Sequence, residues 1–126
     1  MEVRLADCAG FCFGVKRAVD TVYEQLKNGK TIYTYGPIVH NEEVVRELSE
    51  KGVRVLENKE ELKHLKAGEN IPTVIIRAHG VAKEIYDIME ANGLECIDAT
   101  CPFVKKIHRI VEQKSTEGYH VIVVGD

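Results

Sequence analysis

The chain has 126 residues and a formal net charge of −3, with 44% hydrophobic and 29% charged residues. This composition is that of an ordinary globular protein. The slightly negative charge excludes a broad electrostatic attraction to nucleic acid or to an anionic membrane surface. No apolar run reaches the length of a transmembrane helix, and no signal-peptide core follows Met1. We therefore expect a cytoplasmic protein whose four cysteines are thiols rather than disulfides.

Short β-rich runs alternate with helical patterns along the chain. The first strand is expected over residues 3–6, and the helix that follows it ends at Gly29. Asn41 is a plausible N-cap of the second helix, and Pro102 fits the first position of the last one. Further strands are expected over residues 31–35, 53–56, 73–76, 95–98 and 120–124, with a helix after each of the first four. The last helix is expected to bury a face formed by Phe103, Ile107, Ile110 and Val111.

The alternation of strands and helices predicts an α/β fold with parallel sheets and flanking helices. The strand expected over residues 120–124 has no helix after it to cover it. A mostly buried parallel strand should not be the last element of a finished domain. We therefore expect the sequence to be a fragment, or to be completed by another chain.

Cysteine and histidine residues follow the expected strands. Cys8 and Cys12 come after the first strand, His40 after the second, and His79 and Cys101 after later ones. Open α/β folds bind ligands beyond the carboxyl ends of their strands. A helix begins after each of these positions, and its free backbone N–H groups favour thiolates and phosphates. The pattern predicts one shared site, but it does not say whether that site binds a metal, a phosphate or another ligand.

The individual residues allow different interpretations. Cys12 and Cys101 lie in loops marked by glycine or proline, which favours a ligand role. Cys96 lies within a strand and is interpreted as a core residue, while Cys8 is either a core residue or a bystander near the site. His40 and His79 could equally be solvated loop residues.

Four segments, taken in order, carry a resemblance to a known family. They are residues 10–18 around Cys12, residues 39–41 with the valines at 44 and 45, residues 78–81, and residues 98–102. Together they resemble the 4-hydroxy-3-methylbut-2-enyl diphosphate reductases of the non-mevalonate isoprenoid pathway. The match extends over essentially the whole chain.

The resemblance implies a [4Fe-4S] cluster held by three cysteine thiolates, of which Cys12 and Cys101 match two. It implies that His40 and His79 bind the diphosphate of the substrate. The reaction removes the allylic hydroxyl with two electrons and gives isopentenyl and dimethylallyl diphosphates. The electrons would come from a ferredoxin- or flavodoxin-type carrier.

The resemblance also implies a trefoil of three α/β domains around the cluster. Residues 1–13 would form the N-terminal strand and the first ligand loop, residues 14–101 the first domain, and residues 102–126 the beginning of the second. The third cysteine ligand, a further diphosphate histidine and the acidic proton donor are expected beyond Asp126. We therefore expect the 126-residue chain alone to be inactive.

Other functions remain open from the residues alone. The spacing of Cys8, Cys12, Cys96 and Cys101 is loosely compatible with a zinc-binding module. A non-catalytic α/β binding domain without metal would leave the cysteines inert. An oxidoreductase of another class could use Cys12 as a nucleophile, although no neighbouring base can be identified from the sequence.

Overall fold

The computed structural model describes residues 1–4 and 10–124. In that part of the chain it contains five helices and four strands. In order these are α1 (Phe13–Lys27), β1 (Ile32–Tyr35), α2 (Glu42–Glu50), β2 (Arg54–Leu56), α3 (Lys59–His64), β3 (Thr73–Ile76), α4 (Lys83–Ala91), β4 (Glu95–Asp98) and α5 (Pro102–Thr116). The strand expected over residues 3–6 lies partly outside the described residues, and residues 3 and 4 are not in a strand.

The four strands form one parallel sheet in the order β2-β1-β3-β4. The α/β fold with a parallel sheet and flanking helices is thereby confirmed. From β1 the chain moves outward to β2 and then returns to β3 on the other side of β1. Such a reversal of direction is a topological switch point, and it opens a crevice at the carboxyl ends of the two central strands.

Helices cover both faces of the sheet, so the body has three layers. Alternate residues of β3 point to opposite faces, and all four of its residues are buried. One core lies between the sheet and helices α1 and α2; its members include Ala18, Val22, Ile32, Leu48 and Ile75. The other lies between the sheet and helices α3 and α4; its members include Leu62, Val74, Ile76, Ile85 and Met89. Among the described helices, none is both long enough and apolar enough to span a bilayer.

The ends of the helices follow the sequence signals. The side chain of Asn41 accepts a hydrogen bond from the backbone N–H of Val44 at 3.0 Å, which confirms it as the N-cap of α2. Pro102 begins α5, where its missing N–H leaves no donor unsatisfied. Helices α1 and α5 differ from α2 because their N-caps, Cys12 and Cys101, make no side-chain cap hydrogen bond.

Two expectations about the last 25 residues are wrong. Helix α5 contains no buried residue, and Phe103, Ile107 and Ile110 of its expected inner face are exposed. Residues 120–124 form no strand, and Val124 is 92% exposed. An apolar helix face needs a surface to pack against, and a strand needs a partner for its backbone groups. Among the residues described, α5 meets the loop around Gly80 through His108 but leaves most of its apolar face uncovered, and residues 120–124 pair with no strand.

Candidate functional site

The imidazole rings of His40 and His79 stack on each other at the switch point of the sheet. Their centroids are 5.3 Å apart and their planes are inclined by 20°. His40 lies in the loop after β1 and His79 in the loop after β3, so the parallel pairing of these strands brings the two loops together. Both residues are exposed. Their ring nitrogens are therefore accessible to a ligand from solvent.

Glycine makes the turn that leads from β1 towards His40. Gly36 has a φ of 71°, a conformation that residues with a side chain rarely adopt, and its N–H donates to the carbonyl of Leu56 at 2.9 Å. The Nη1 atom of Arg77 lies close above it, 2.9 Å from where a Cβ would stand. The Nε atom of Arg77 is buried without a hydrogen-bond partner.

The two cysteines of the predicted site occupy equivalent positions on two helices. Cys12 is the N-cap of α1 and is exposed, whereas Cys101 is the N-cap of α5 and is only 9% exposed. The N–H of Cys101 donates to the carbonyl of Ala78 at 2.9 Å, which fixes it beside the loop after β3. Both cysteines therefore lie where the first turn of a helix presents unpaired backbone N–H groups.

The first turn of α1 packs directly against the Cys101 side chain. A Cβ on Gly14 would stand 2.6 Å from the sulfur and 2.8 Å from the Cβ of Cys101, so only glycine fits there without displacement. Cys12 lies two residues before Gly14. This chain geometry places the Cα of Cys12 within about 12 Å of the Cys101 sulfur.

A second glycine, Gly80, allows the loop that carries His79 to pack closely against the loop that carries Cys101. Gly80, which follows His79, has a φ of 73°, and a Cβ there would stand 3.1 Å from the Cγ2 of Thr100. Thr100 directly precedes Cys101. The loops that carry His79 and Cys101 are thus in contact. The predicted residues His40, His79, Cys12 and Cys101 lie in neighbouring loops on the side of the sheet where the strands end.

Polar contacts tie the loop before Cys101 to both neighbouring helices. The N–H of Thr100 donates to Asp98 Oδ1 at 2.9 Å, and Lys105 Nζ lies 2.6 Å from Asp98 Oδ2. On the other side, Arg17 Nη1 donates to the carbonyl of Thr100 at 3.3 Å. Burial alone would raise the pKa of Asp98, but the hydrogen bonds from Lys105 and Thr100 outweigh it and hold the pKa below its ordinary value.

Cys96 is exposed, so its assignment to the core is wrong. It lies on β4, an edge strand whose burial is incomplete along its length. The sulfur is nevertheless partly desolvated by its neighbours, and this partial burial, followed by the nearby charge of Asp98, raises the pKa of the Cys96 thiol. Cys8 lies outside the described residues.

The described cysteines do not form a tetrahedral metal site. Within residues 1–4 and 10–124, no three side chains of histidine, cysteine, aspartate or glutamate gather as a metal-binding group. The zinc hypothesis requires Cys12, Cys96 and Cys101 to converge together with Cys8, and nothing in the arrangement of these three favours it.

Two contacts of the site are not evident from the sequence. The near neighbour of Gly14 is the Cys101 side chain, and Arg17 Nη1 reaches the carbonyl of Thr100. Glycine in a helix is disfavoured relative to alanine, so its presence in the first turn of α1 was a signal of close packing. The sequence could not say what packs there, because the partner is far away along the chain.

The fold and these loops define an α/β protein that carries a pair of thiols and a pair of imidazoles beside the switch point of its sheet. The sequence model of the LytB protein family matches residues 3–126. The chain belongs to the LytB protein family.

Individual relatives agree with this assignment. The chain is 51% identical over 128 residues to the 4-hydroxy-3-methylbut-2-enyl diphosphate reductase of Caldanaerobacter subterraneus subsp. tengcongensis, covering 100% of the chain and 43% of the relative. The enzyme of the same name from Geobacter sp. strain M21 is 48% identical over 126 residues, covering 100% of the chain and 42% of the relative. The chain thus spans less than half the length of these relatives.

Two solved structures share the fold. A structure of (E)-4-hydroxy-3-methyl-but-2-enyl diphosphate reductase, described as the terminal enzyme of the non-mevalonate pathway, matches with a TM-score of 0.78 at 45% identity. The match covers 96% of this chain and 41% of that one. The corresponding reductase from Plasmodium falciparum matches with a TM-score of 0.77 at 37% identity, over 90% of this chain and 34% of that one.

Proposed function

We propose that this chain supplies the N-terminal part of a 4-hydroxy-3-methylbut-2-enyl diphosphate reductase. The observation that carries the proposal is that Cys12, Cys101, His40 and His79 lie in neighbouring loops on the side of the sheet where the strands end. The two relatives described above have that activity as their name, and each is matched over the full length of this chain. The substrate would be the allylic diphosphate, and the products isopentenyl and dimethylallyl diphosphates.

Cys12 and Cys101 are proposed as two of the three thiolate ligands of a [4Fe-4S] cluster. Their positions fit such a group, because both cap helices with unpaired N–H groups and Gly14 lets the first turn of α1 approach the Cys101 sulfur. When bound, the cluster supplies electrons and a Lewis-acidic iron for loss of the allylic hydroxyl. A ferredoxin- or flavodoxin-type protein is the proposed electron donor.

His40 and His79 are proposed to hold the diphosphate. Imidazole N–H groups make charge-assisted hydrogen bonds to phosphate oxygens, and two rings stacked at 5.3 Å can address neighbouring oxygens of one diphosphate. This local arrangement lets a chain with a net charge of −3 bind an anion without a basic surface.

We also propose the domain division suggested by the family resemblance. Residues 1–13 would form the N-terminal strand and first ligand loop, residues 14–101 the first domain, and residues 102–126 the start of the second. The contrast between the two buried cores of the sheet body and the uncovered face of α5 supports a boundary at Cys101.

A chimaera with the Caldanaerobacter relative tests the cluster proposal. The 126 residues replace the matching 43% of that protein, and the product is reconstituted anaerobically with iron and sulfide. We expect a brown protein with broad visible absorption that reduces the allylic diphosphate, while the 126-residue chain alone does not turn over. Cys12→Ala and Cys101→Ala should each lose iron and activity, whereas the control Cys96→Ala should keep both.

The same chimaera separates the alternatives. A colourless, zinc-loaded protein would favour the zinc-binding module. Retention of iron and activity by Cys12→Ala and Cys101→Ala would overturn the ligand assignment.

Binding of the diphosphate tests the two histidines. His40→Ala and His79→Ala should each weaken binding of the substrate to the chimaera by about tenfold or more, because each removes a charge-assisted hydrogen bond worth roughly 1.5–3 kcal/mol. His64→Ala is the control, since His64 is exposed on α3 and its Nδ1 contacts the carbonyl of Glu60. Calorimetric titration measures the change, and equal affinities for all three variants would contradict the assignment.

A further inference from the structure

We propose that helix α1 positions the Cys101 thiol in addition to carrying Cys12. Gly14 leaves the space that the Cys101 sulfur occupies, and this contact is called the seat; Arg17 holds the carbonyl of Thr100, the preceding residue, and this hydrogen bond is called the clamp. Gly14 and Arg17 are both positioning residues. The inference deepens the proposed function, since it concerns how two proposed cluster ligands are held. Its structural part, however, can be measured on the metal-free chain.

The seat is a close contact between distant parts of the chain. The Cys101 sulfur stands 2.6 Å from the place of a Gly14 Cβ, below the 3.0 Å that real Cβ atoms keep. Any side chain at Gly14 must push the sulfur or the first turn of α1 aside. Because Cys101 is buried and its N–H is bound to Ala78, the thiol has little freedom to yield.

The clamp acts on the backbone next to the thiol. Arg17 lies on the turn of α1 that follows Gly14, and its Nη1 donates to the carbonyl of Thr100. On the opposite side, Asp98 accepts the N–H of Thr100 and pairs with Lys105 of α5. The peptide that leads into Cys101 is thus held from α1 and from the end of β4 together.

A consequence concerns the spacing of the two thiols. Cys12, Gly14 and Arg17 belong to consecutive turns of one hydrogen-bonded helix, in which the N–H of Lys16 donates to the carbonyl of Cys12 at 2.9 Å. A shift of α1 therefore moves Cys12 and the seat of Cys101 as one body. Helix α1 sets the distance between two thiols that come from opposite ends of the chain.

Thiol chemistry on the metal-free chain tests the seat. In a Cys8→Ser, Cys96→Ser background only Cys12 and Cys101 remain, and their alkylation by iodoacetamide is followed by peptide mass analysis. A dibromobimane cross-link between them reports their spacing. Gly14→Ala should raise the Cys101 rate relative to Cys12 by at least about fivefold and lower the cross-link yield by a similar factor.

Gly68→Ala is the matched control. It adds the same methyl group at a position where nothing lies within 4 Å and the backbone is not left-handed, so neither readout should change. If Gly14→Ala behaves like Gly68→Ala in both measurements, the seat does not exist.

Arg17→Lys provides a second variant if Gly14→Ala does not fold. It keeps the charge but removes the Nη1 donor, and it should shift both readouts in the same direction by about twofold or more. Arg46→Lys makes the same exchange at an exposed position on α2 and should change neither. Wild-type values for Arg17→Lys would overturn the clamp.

Iron binding by the chimaera distinguishes a failure of the seat from a failure of the proposed cluster. In the chimaera, Gly14→Ala should lower the iron bound after reconstitution severalfold and alter the visible spectrum of what remains. A chimaera that never binds iron, combined with a positive thiol result, would reject the cluster and leave the seat standing. Full iron binding by Gly14→Ala, together with unchanged thiol readouts, would reject the seat and leave the cluster standing.

Discussion

Helices α1 and α5 look alike in sequence and differ in their surroundings. Each has 15 residues, each follows a cysteine N-cap, and each carries an apolar stripe. Helix α1 buries Ala18, Val19 and Val22 in the core against the sheet and Gly14 against Cys101, whereas α5 buries none of its residues. An amphipathic pattern therefore predicts which face of a helix seeks burial, but it does not say whether a surface is available to cover it.

The largest expected difference between the helices is in their apolar faces. Val22→Ala on α1 should lower the free energy of unfolding by about 2–3 kcal/mol, because Val22 is 0% exposed and the change leaves a cavity. Ile110→Ala on α5 removes more carbon but should change stability by less than about 0.5 kcal/mol, since Ile110 is exposed. Urea unfolding of the chain measures both; similar losses would contradict the contrast.

The close packing of α1 gives the second largest effect. Gly14→Ala should destabilise the chain by about 1–3 kcal/mol, because the added methyl group overlaps the Cys101 side chain. Gly68→Ala, which meets no neighbour, should instead stabilise it by about 0.4–1 kcal/mol by restricting the unfolded chain. The urea midpoint should fall for Gly14→Ala and rise for Gly68→Ala. A higher midpoint for Gly14→Ala would refute the overlap with Cys101.

The two cysteine caps should respond oppositely to serine. Cys12→Ser introduces a hydroxyl that can accept from the free N–H groups of α1, so a gain of about 0.5–1 kcal/mol is expected. Cys101→Ser places a hydroxyl in the buried position against Gly14 and should lose about 1–2 kcal/mol. Thermal unfolding of the metal-free chain compares them, with Cys96→Ser as the exposed control; changes of the same sign would contradict this prediction.

The smallest difference concerns an ion pair on each helix. Lys16 of α1 pairs with Asp20 of the same helix in an exposed position, while Lys105 of α5 pairs with the less exposed Asp98. Asp98→Asn should lose no more than about 1 kcal/mol and Asp20→Asn less than about 0.5 kcal/mol. Urea unfolding near neutral pH compares the two.

Acid should remove the contribution of Asp98. Its pKa in the folded chain lies below the ordinary value of 3.8, so its stabilising effect is present above that value and is lost as the pH falls through the lowered pKa. The stability gap between the wild type and Asp98→Asn should therefore shrink in strong acid. A gap that widens there would contradict the lowered pKa.

Local signals predicted much of the fold and of the site. The strands at 73–76 and 95–98, the cap at Asn41 and the start of α5 at Pro102 depend on residues close together in sequence, and all are confirmed. His40 and His79 were placed at strand ends by the same reasoning, and the parallel register of β1 and β3 brings them together.

The exposure of Cys96 could not be predicted in this way. Periodicity placed it within a strand, but the order of strands depends on pairing between segments far apart in the chain. Only that order makes β4 an edge strand. The uncovered face of α5 and the absence of a strand over residues 120–124 have the same origin, because both depend on a packing partner.

The sequence by itself determined the alternation of elements, the helix ends and the positions of the cysteines and histidines beyond the strands, since short-range sterics and hydrogen bonding govern these. Tertiary structure decided which of those residues meet: the stacking of His40 on His79 and the contact of Gly14 with Cys101. Such contacts arise from strand order and from helix packing across the sheet. Neither is encoded in the spacing of residues along one segment.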